Sequence, residues 1–166
     1  MHTVDDITEI FRAPTSSIPG CSNDYLGVYN KLLSGLFKES CFLVTFPKQN
    51  CMEVIIYNRP IRNPKAVLLL LLALDEEPNP DDSVEEVMQK LLMDAKALEI
   101  QMIHGLCILE TKVAFYRYDR EQGVVTPNRG HVHFDLDLKE EDGAAGVIEV
   151  AEDVKRMCKL VGMELK

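Results

Sequence analysis

Residues 65–78 read KAVLLLLLALDEEP: five consecutive leucines inside an unbroken apolar stretch from Ala66 to Leu74, closed by three acidic residues. Those nine residues are about half of the roughly 20 that a helix needs to cross a bilayer, so a membrane span fails on length. Periodicity does not separate a buried strand from a buried helix in a continuous apolar run. Leucine favours helix, and Asn63 with Pro64 stand where a helix could be capped and started. Only eight or nine residues separate those signals from DEEPNPDD, however, and that length suits a strand covered on both faces, which needs no polar alternation. The run therefore predicts a central strand over 66–74.

The segments on either side supply the layers such a strand requires. Upstream, CFLVTF (41–46) and MEVIIY (52–57) have the β-branched and aromatic content of strands and are separated by the turn-like PKQN. The two prolines of NRPIRNPK exclude a central strand there. Before them, Tyr25, Tyr29, Leu32, Leu33 and Leu36 form one stripe of a helix that starts at Asn23 or Asp24 and runs to about Phe37. Residues 3–12 predict a short helix capped by Thr3, with Val4, Ile7, Ile10 and Phe11 on one face. The Pro, Ser and Gly cluster APTSSIPGCSND then sets that helix apart as an appendage.

Downstream, SVEEVMQKLLMDAKALEI opens with Ser83 and Glu86 at capping-box spacing and carries a stripe of Val84, Val87, Met88, Leu91, Leu92, Ala95 and Leu98, which predicts a helix. MIHGLCIL and KVAFYRYD read as two strands joined by a tight turn at Glu110 and Thr111, and REQGVVTPNRG reads as loop. HVHFDLDL alternates strictly, as a strand does. The last helix carries Val147, Ile148, Ala151, Val154, Met157, Cys158 and Val161 at helical spacing. The expected fold is α/β (α+β), a mixed central β-sheet flanked by helices in the order α-α-β-β-β-α-β-β-β-α. Residues 1–22 form an N-terminal helix and linker, and residues 23–166 a single α/β domain.

Composition narrows the function. The chain has 166 residues, 46% of them hydrophobic, enough for one core. Its formal charge of −9, from 27 acidic and 18 basic residues, argues against a surface built to lie on nucleic-acid phosphates. MHTVDDITEIFRAP has no basic or apolar leader pattern, so a secretory signal is not expected. Five scattered cysteines (Cys21, Cys41, Cys51, Cys107, Cys158) show no CxxC spacing and read as reduced thiols. These features predict an intracellular protein, cytoplasmic or nuclear, with no membrane association and with a protein as its partner.

Several stretches together resemble a domain abundant in mushroom-forming fungi that belongs to the PD-(D/E)xK, or restriction-endonuclease-like, superfamily. DYLGVYNKLLSGLF (24–37) is similar to that domain's first helix, which runs Tyr-Gly-Pro-Tyr-Asn into a leucine-rich turn. MIHGLCILETKVAFYRYD (102–119) resembles its hairpin, and DLDLKEEDGAAGVIEVAEDVKRMC its Asp-rich segment and last helix. The likeness spans about residues 24–160 and implies a restriction-endonuclease-like core. The superfamily's chemistry places an Asp at the start of one strand, and a Glu and a Lys two residues apart on one face of the next. The carboxylates hold Mg²⁺ and the Lys serves the attacking water.

Carried onto this chain, the first acid falls at or next to Glu53. The Glu-x-Lys pair falls on the leucine run, at Leu71 and Ala73 or, one residue on, at Leu72 and Leu74. The family's helical Gln falls at Val87, with Gln89 two residues away. The resemblance thus implies a nuclease fold without catalysis and without a cofactor, a binding or scaffold module in a fungal cell. One alternative is a Mg²⁺-dependent nuclease with a displaced site on Glu53, helped by Glu76 or Glu77. Another is metal binding at His131 and His133, since His-x-His is a metal-ligand spacing. Against the latter, Val132, Phe134, Leu136 and Leu138 would bury the opposite face of the same strand. Arg59, Arg62 and Lys65 form the densest basic patch, a candidate for touching a phosphate or an acidic partner. Glu110 and Lys112 spell a Glu-x-Lys, but on a hairpin turn. Asp94 with Lys96 and Asp153 with Lys155 lie on helices, where positions i and i+2 diverge, and read as solvated faces.

Overall fold

The computed structural model describes residues 3–12, 24–38, 42–48, 51–56, 66–74, 84–94, 102–127 and 134–160. The elements are α1 (Val4–Arg12), α2 (Asp24–Leu36), β1 (Phe42–Lys48), β2 (Cys51–Ile56), β3 (Ala66–Leu74), α3 (Val84–Asp94), β4 (Met102–Leu109), β5 (Lys112–Asp119), β6 (Val124–Pro127), β7 (Leu136–Asp137) and α4 (Glu141–Leu160). No helix among the described residues is long and apolar enough to cross a membrane.

The leucine run is strand β3, and it occupies the middle of the sheet. The strand order is β1-β2-β3-β4-β5-β6, with β7 pairing β5. β3 runs antiparallel to β2 and parallel to β4. A parallel neighbour requires a crossover, and α3 lies on that connection. The remaining strand pairs are antiparallel, so the sheet is mixed.

Helices cover both faces. Leu69 and Leu71 enter a core with Ile7 and Phe11 of α1, Tyr29, Leu32 and Leu33 of α2, and Val147 and Val154 of α4. Leu70 points to the other face, where Met88 of α3 packs with Cys107, Ala114 and Tyr116. This two-sided burial is why the run shows no alternation. Two glycines permit close approaches of helix and sheet. A Cβ on Gly105 would stand 3.2 Å from the sulfur of Met88, and one on Gly146 would stand 2.8 Å from the Phe115 ring. β4 and α4 thus seat α3 and β5 through missing side chains.

α1 joins the main core, with Ile7 fully buried and Phe11 packed 5.1 Å from Tyr29, centroid to centroid. Its first turn is held by a reciprocal cap: the Asp6 N–H donates to Thr3 Oγ1 at 3.2 Å and the Thr3 N–H to Asp6 Oδ2 at 2.7 Å. Arg12 at its other end donates from Nε to the Lys139 carbonyl at 2.7 Å, just ahead of α4.

Three expectations from the sequence need correction. The segment after β5 is not all loop: Val124–Pro127 pair with Tyr116–Asp119 as β6. Its turn is closed by Asp119 Oδ1, which accepts from the Glu121 and Gln122 N–H groups at 2.9 and 3.2 Å, and by Gly123 at φ +66°. The order after α3 therefore holds four strands, not three. Second, of the described part of HVHFDLDL only Leu136–Asp137 lie in the ladder, because Asp137 turns the chain by accepting the Lys139 N–H at 2.9 Å. Third, Val87 is 49% exposed, outside the buried stripe of α3. Met88 takes the sheet-facing position between Val84 and Leu91, spaced i, i+4 and i+7, and Val87 falls off that line.

Candidate functional site

Among the described residues, those singled out in the sequence are not gathered into one site. Leu71 is fully buried, and Ala73 shares its face of β3. Leu70, Leu72 and Leu74 belong to the opposite, α3 face. Glu53 is the register partner of Leu70, so the register that brings Leu72 and Leu74 forward is the one on its partner's face. Val87 is exposed on α3, while Gln89 donates from Nε2 to the Gly123 carbonyl at 3.3 Å. Arg59, Arg62, Lys65, Glu76, Glu77, His131 and His133 lie outside the described residues. Among the described residues no group of three His, Cys, Asp or Glu side chains is placed to hold a metal ion.

The Glu-x-Lys of the hairpin lies on the turn expected for it. Glu110 and Thr111 connect β4 to β5, and Glu110 has φ +53°. The Tyr29 hydroxyl donates to the Glu110 carbonyl at 2.8 Å, and the Leu138 N–H to the Thr111 carbonyl at 2.8 Å. Burial pushes the Tyr29 hydroxyl well above its ordinary range, with smaller contributions from Tyr25 and Asp137, so it remains a neutral donor. Glu110 and Lys112 themselves are exposed.

A polar cleft does form on the α4 face, and of its residues only Asp153 is singled out in the sequence, as a solvated position. On β4, Ile103, Gly105 and Cys107 face α3, so His104 faces α4, as do Leu106 and Ile108. The hairpin register sets His104 opposite Arg117 of β5. α4 contributes Glu149, Val150, Asp153 and Arg156, and these six residues line a cleft of about 270 Å³.

The chemistry centres on His104, whose side chain is only 3% exposed. Its Nε2 lies 2.9 Å from Asp153 Oδ2, and Arg156 Nη1 lies 3.1 Å from Asp153 Oδ1. Burial lowers the imidazole below its ordinary range; the hydrogen bond and charge of Asp153 oppose the shift, and Arg117 adds to it. The ring is therefore neutral near pH 7. A carboxylate can only accept, so Nε2 carries the proton and donates it to Asp153. Nδ1 is then a bare acceptor, buried and without a hydrogen-bond partner among the described residues.

Asp153 therefore departs from the solvated face expected of it. It is 27% exposed and bridges a buried imidazole to a surface guanidinium. Its neighbour Lys155 lies with its ammonium 5.8 Å from the centroid of the Phe37 ring. The sequence signal for the cleft was weak: one histidine inside an apolar strand and one aspartate on an amphipathic helix, 49 residues apart. Nothing but the packing of α4 on β4 and β5 links them.

Among the described residues the thiols offer no competing centre. Cys51, Cys107 and Cys158 are buried, and burial pushes the Cys107 thiol up to about 12, the wrong direction for a nucleophile.

No family model, curated protein or solved structure matches this chain. The functional reading therefore rests on its own residues and geometry.

Proposed function

We propose that this chain is a catalytically inactive, restriction-endonuclease-like domain that serves as a binding or scaffold module in a fungal cell. Two features support the reading. Three antiparallel strands lead through a helix into a strand parallel to the third, and a hairpin follows. The observation that carries the reading is β3. Both registers for the superfamily's Glu and Lys fall on leucine or alanine, with Leu71 fully buried and Leu72, Ala73 and Leu74 partly buried. Mg²⁺ is held through carboxylate oxygens and water, and a hydrocarbon strand offers it none.

The test is incubation of a supercoiled plasmid with the purified chain and Mg²⁺ or Mn²⁺. The plasmid should remain intact. Nicking that disappears in Glu53→Ala would overturn the reading and install a displaced nuclease site on Glu53.

A further inference from the structure

The cleft between β4, β5 and α4 has the makings of a ligand site that catalysis by β3 would not need. Two guanidinium groups, Arg117 and Arg156, converge on it from a strand and a helix. Arg117 Nε is engaged with the Met102 sulfur and Arg156 Nη1 with Asp153, and the other N–H groups of each guanidinium are donors suited to oxyanions. Asp153 does not oppose an anion as a free carboxylate would, because one of its oxygens accepts from His104 and the other from Arg156. Glu149 is exposed and is itself engaged with a neighbour. His104 lines the same cleft, and its Nδ1 is buried without a partner among the described residues, an arrangement that costs stability unless something else compensates it.

Charge counting defines the class of ligand. With His104 neutral, Arg117 and Arg156 balance Glu149 and Asp153, and β3 adds no charge, since the register partner of His104 is the buried Leu69. A dianion entering this partly enclosed space draws a compensating proton, and the bare Nδ1 is the one uncharged base available to take it. A carboxylate's two oxygens are consumed by a single guanidinium fork, whereas a phosphate has oxygens enough for both. The volume, about 270 Å³, exceeds several times the ~30 Å³ share of a water molecule and leaves room for an organic substituent.

We propose that this cleft binds a phosphate monoester between Arg117 and Arg156, and that His104 takes up a proton as the ligand enters. The proposal shares with the binding-module reading only the idea that the chain holds a ligand. Residual nuclease activity would leave it standing, and failure to bind phosphate would leave the plasmid result unchanged.

The experiment is an NMR titration of the full chain with phenyl phosphate, with inorganic phosphate and acetate as comparators. Arginine Nε–H and histidine ring-nitrogen signals are followed. Phenyl phosphate should saturate, move the Arg117 and Arg156 signals, and convert the His104 Nδ1 signal from bare to protonated. Arg117→Gln and Arg156→Gln should each weaken binding about tenfold, the loss of one charge-assisted contact. Glu149→Gln should strengthen it by removing a like charge. Arg156 and Glu149 are exposed, so their variants retain the fold, and circular dichroism verifies this. Absence of saturable shifts, shifts that persist in the Arg117→Gln/Arg156→Gln double variant, or equal binding of acetate would each overturn the proposal.

Discussion

Strands β3 and β4 lie side by side and parallel, and at one step of their register they carry opposite chemistry on the same face. Leu69 is 1% exposed and its partner His104 is 2% exposed, so burial does not distinguish them. What differs is the element above each. Leu69 meets the hydrocarbon of the core shared by α1, α2 and α4. His104 meets Asp153, at the margin where α4 opens into a cleft. His104 is accommodated in this sheet because α4 returns a carboxylate to it, since an unpartnered polar group in the interior is costly. The superfamily's Glu and Lys would need such compensation from a metal and from water. Position 71, fully buried among apolar side chains, offers neither.

The largest expected effect breaks the apolar member of the pair. Leu71→Glu places a charge at a fully buried position of the central strand, and we expect a loss of more than about 4 kcal/mol, with the cooperative urea transition weakened or abolished. A variant that unfolds with wild-type stability would show that the leucine run is open to a carboxylate.

On the polar side, Asp153→Ala removes the acceptor for His104 Nε2 and leaves both ring nitrogens of a buried imidazole unpaired. The expected loss is about 1–3 kcal/mol by urea denaturation. Asp153→Asn retains an oxygen acceptor and should cost less than half as much. Equal losses in the two variants would mean that charge, not the hydrogen bond, couples α4 to β4.

The same pair predicts a pH dependence. Because burial lowers the His104 imidazole in the folded state, the unfolded chain binds the proton more readily. Stability then rises with pH across the interval below the ordinary value of 6.5. The contribution is complete above that value and is lost as pH falls toward the folded-state value. Unfolding free energies between about pH 7.5 and 5.5 should fall for the wild type and fall less for His104→Gln. Parallel curves would sink the assignment.

The smallest effect concerns the turn that sets His104 opposite Arg117. Glu110→Gly relieves a left-handed conformation at φ +53°, and its gain in the folded state is offset by the greater freedom of glycine in the unfolded chain. We expect a change within about 1 kcal/mol of zero, with a stabilising sign. Plasmid integrity should be unchanged, in keeping with the turn location of the Glu110 and Lys112 pair.

Much of the architecture is legible in the sequence. The β3 boundaries follow from a nine-residue apolar stretch bounded by prolines and acids, and the β4–β5 hairpin from two strand-like runs around two turn residues. These signals are local, since side-chain shape, turn chemistry and period act within a few residues of their cause. β6 was missed because its four residues lie beside Gly123 and end in Pro127, in a segment rich in turn-forming residues. Only its pairing with β5 makes it a strand. Val87 was misassigned because an apolar residue one step from Met88 looks equivalent in sequence, whereas the direction of the sheet selects one of them.

The sequence by itself determined that this chain builds a mixed sheet around a leucine strand, because patterning and composition act locally and additively. The tertiary structure alone decided that α1 docks into the main core and that His104 and Asp153, 49 residues apart, form a buried pair beside two arginines. Whether a histidine in an apolar strand is partnered depends on which helix crosses above it and at what turn. No property of either residue's neighbours in the chain encodes that placement.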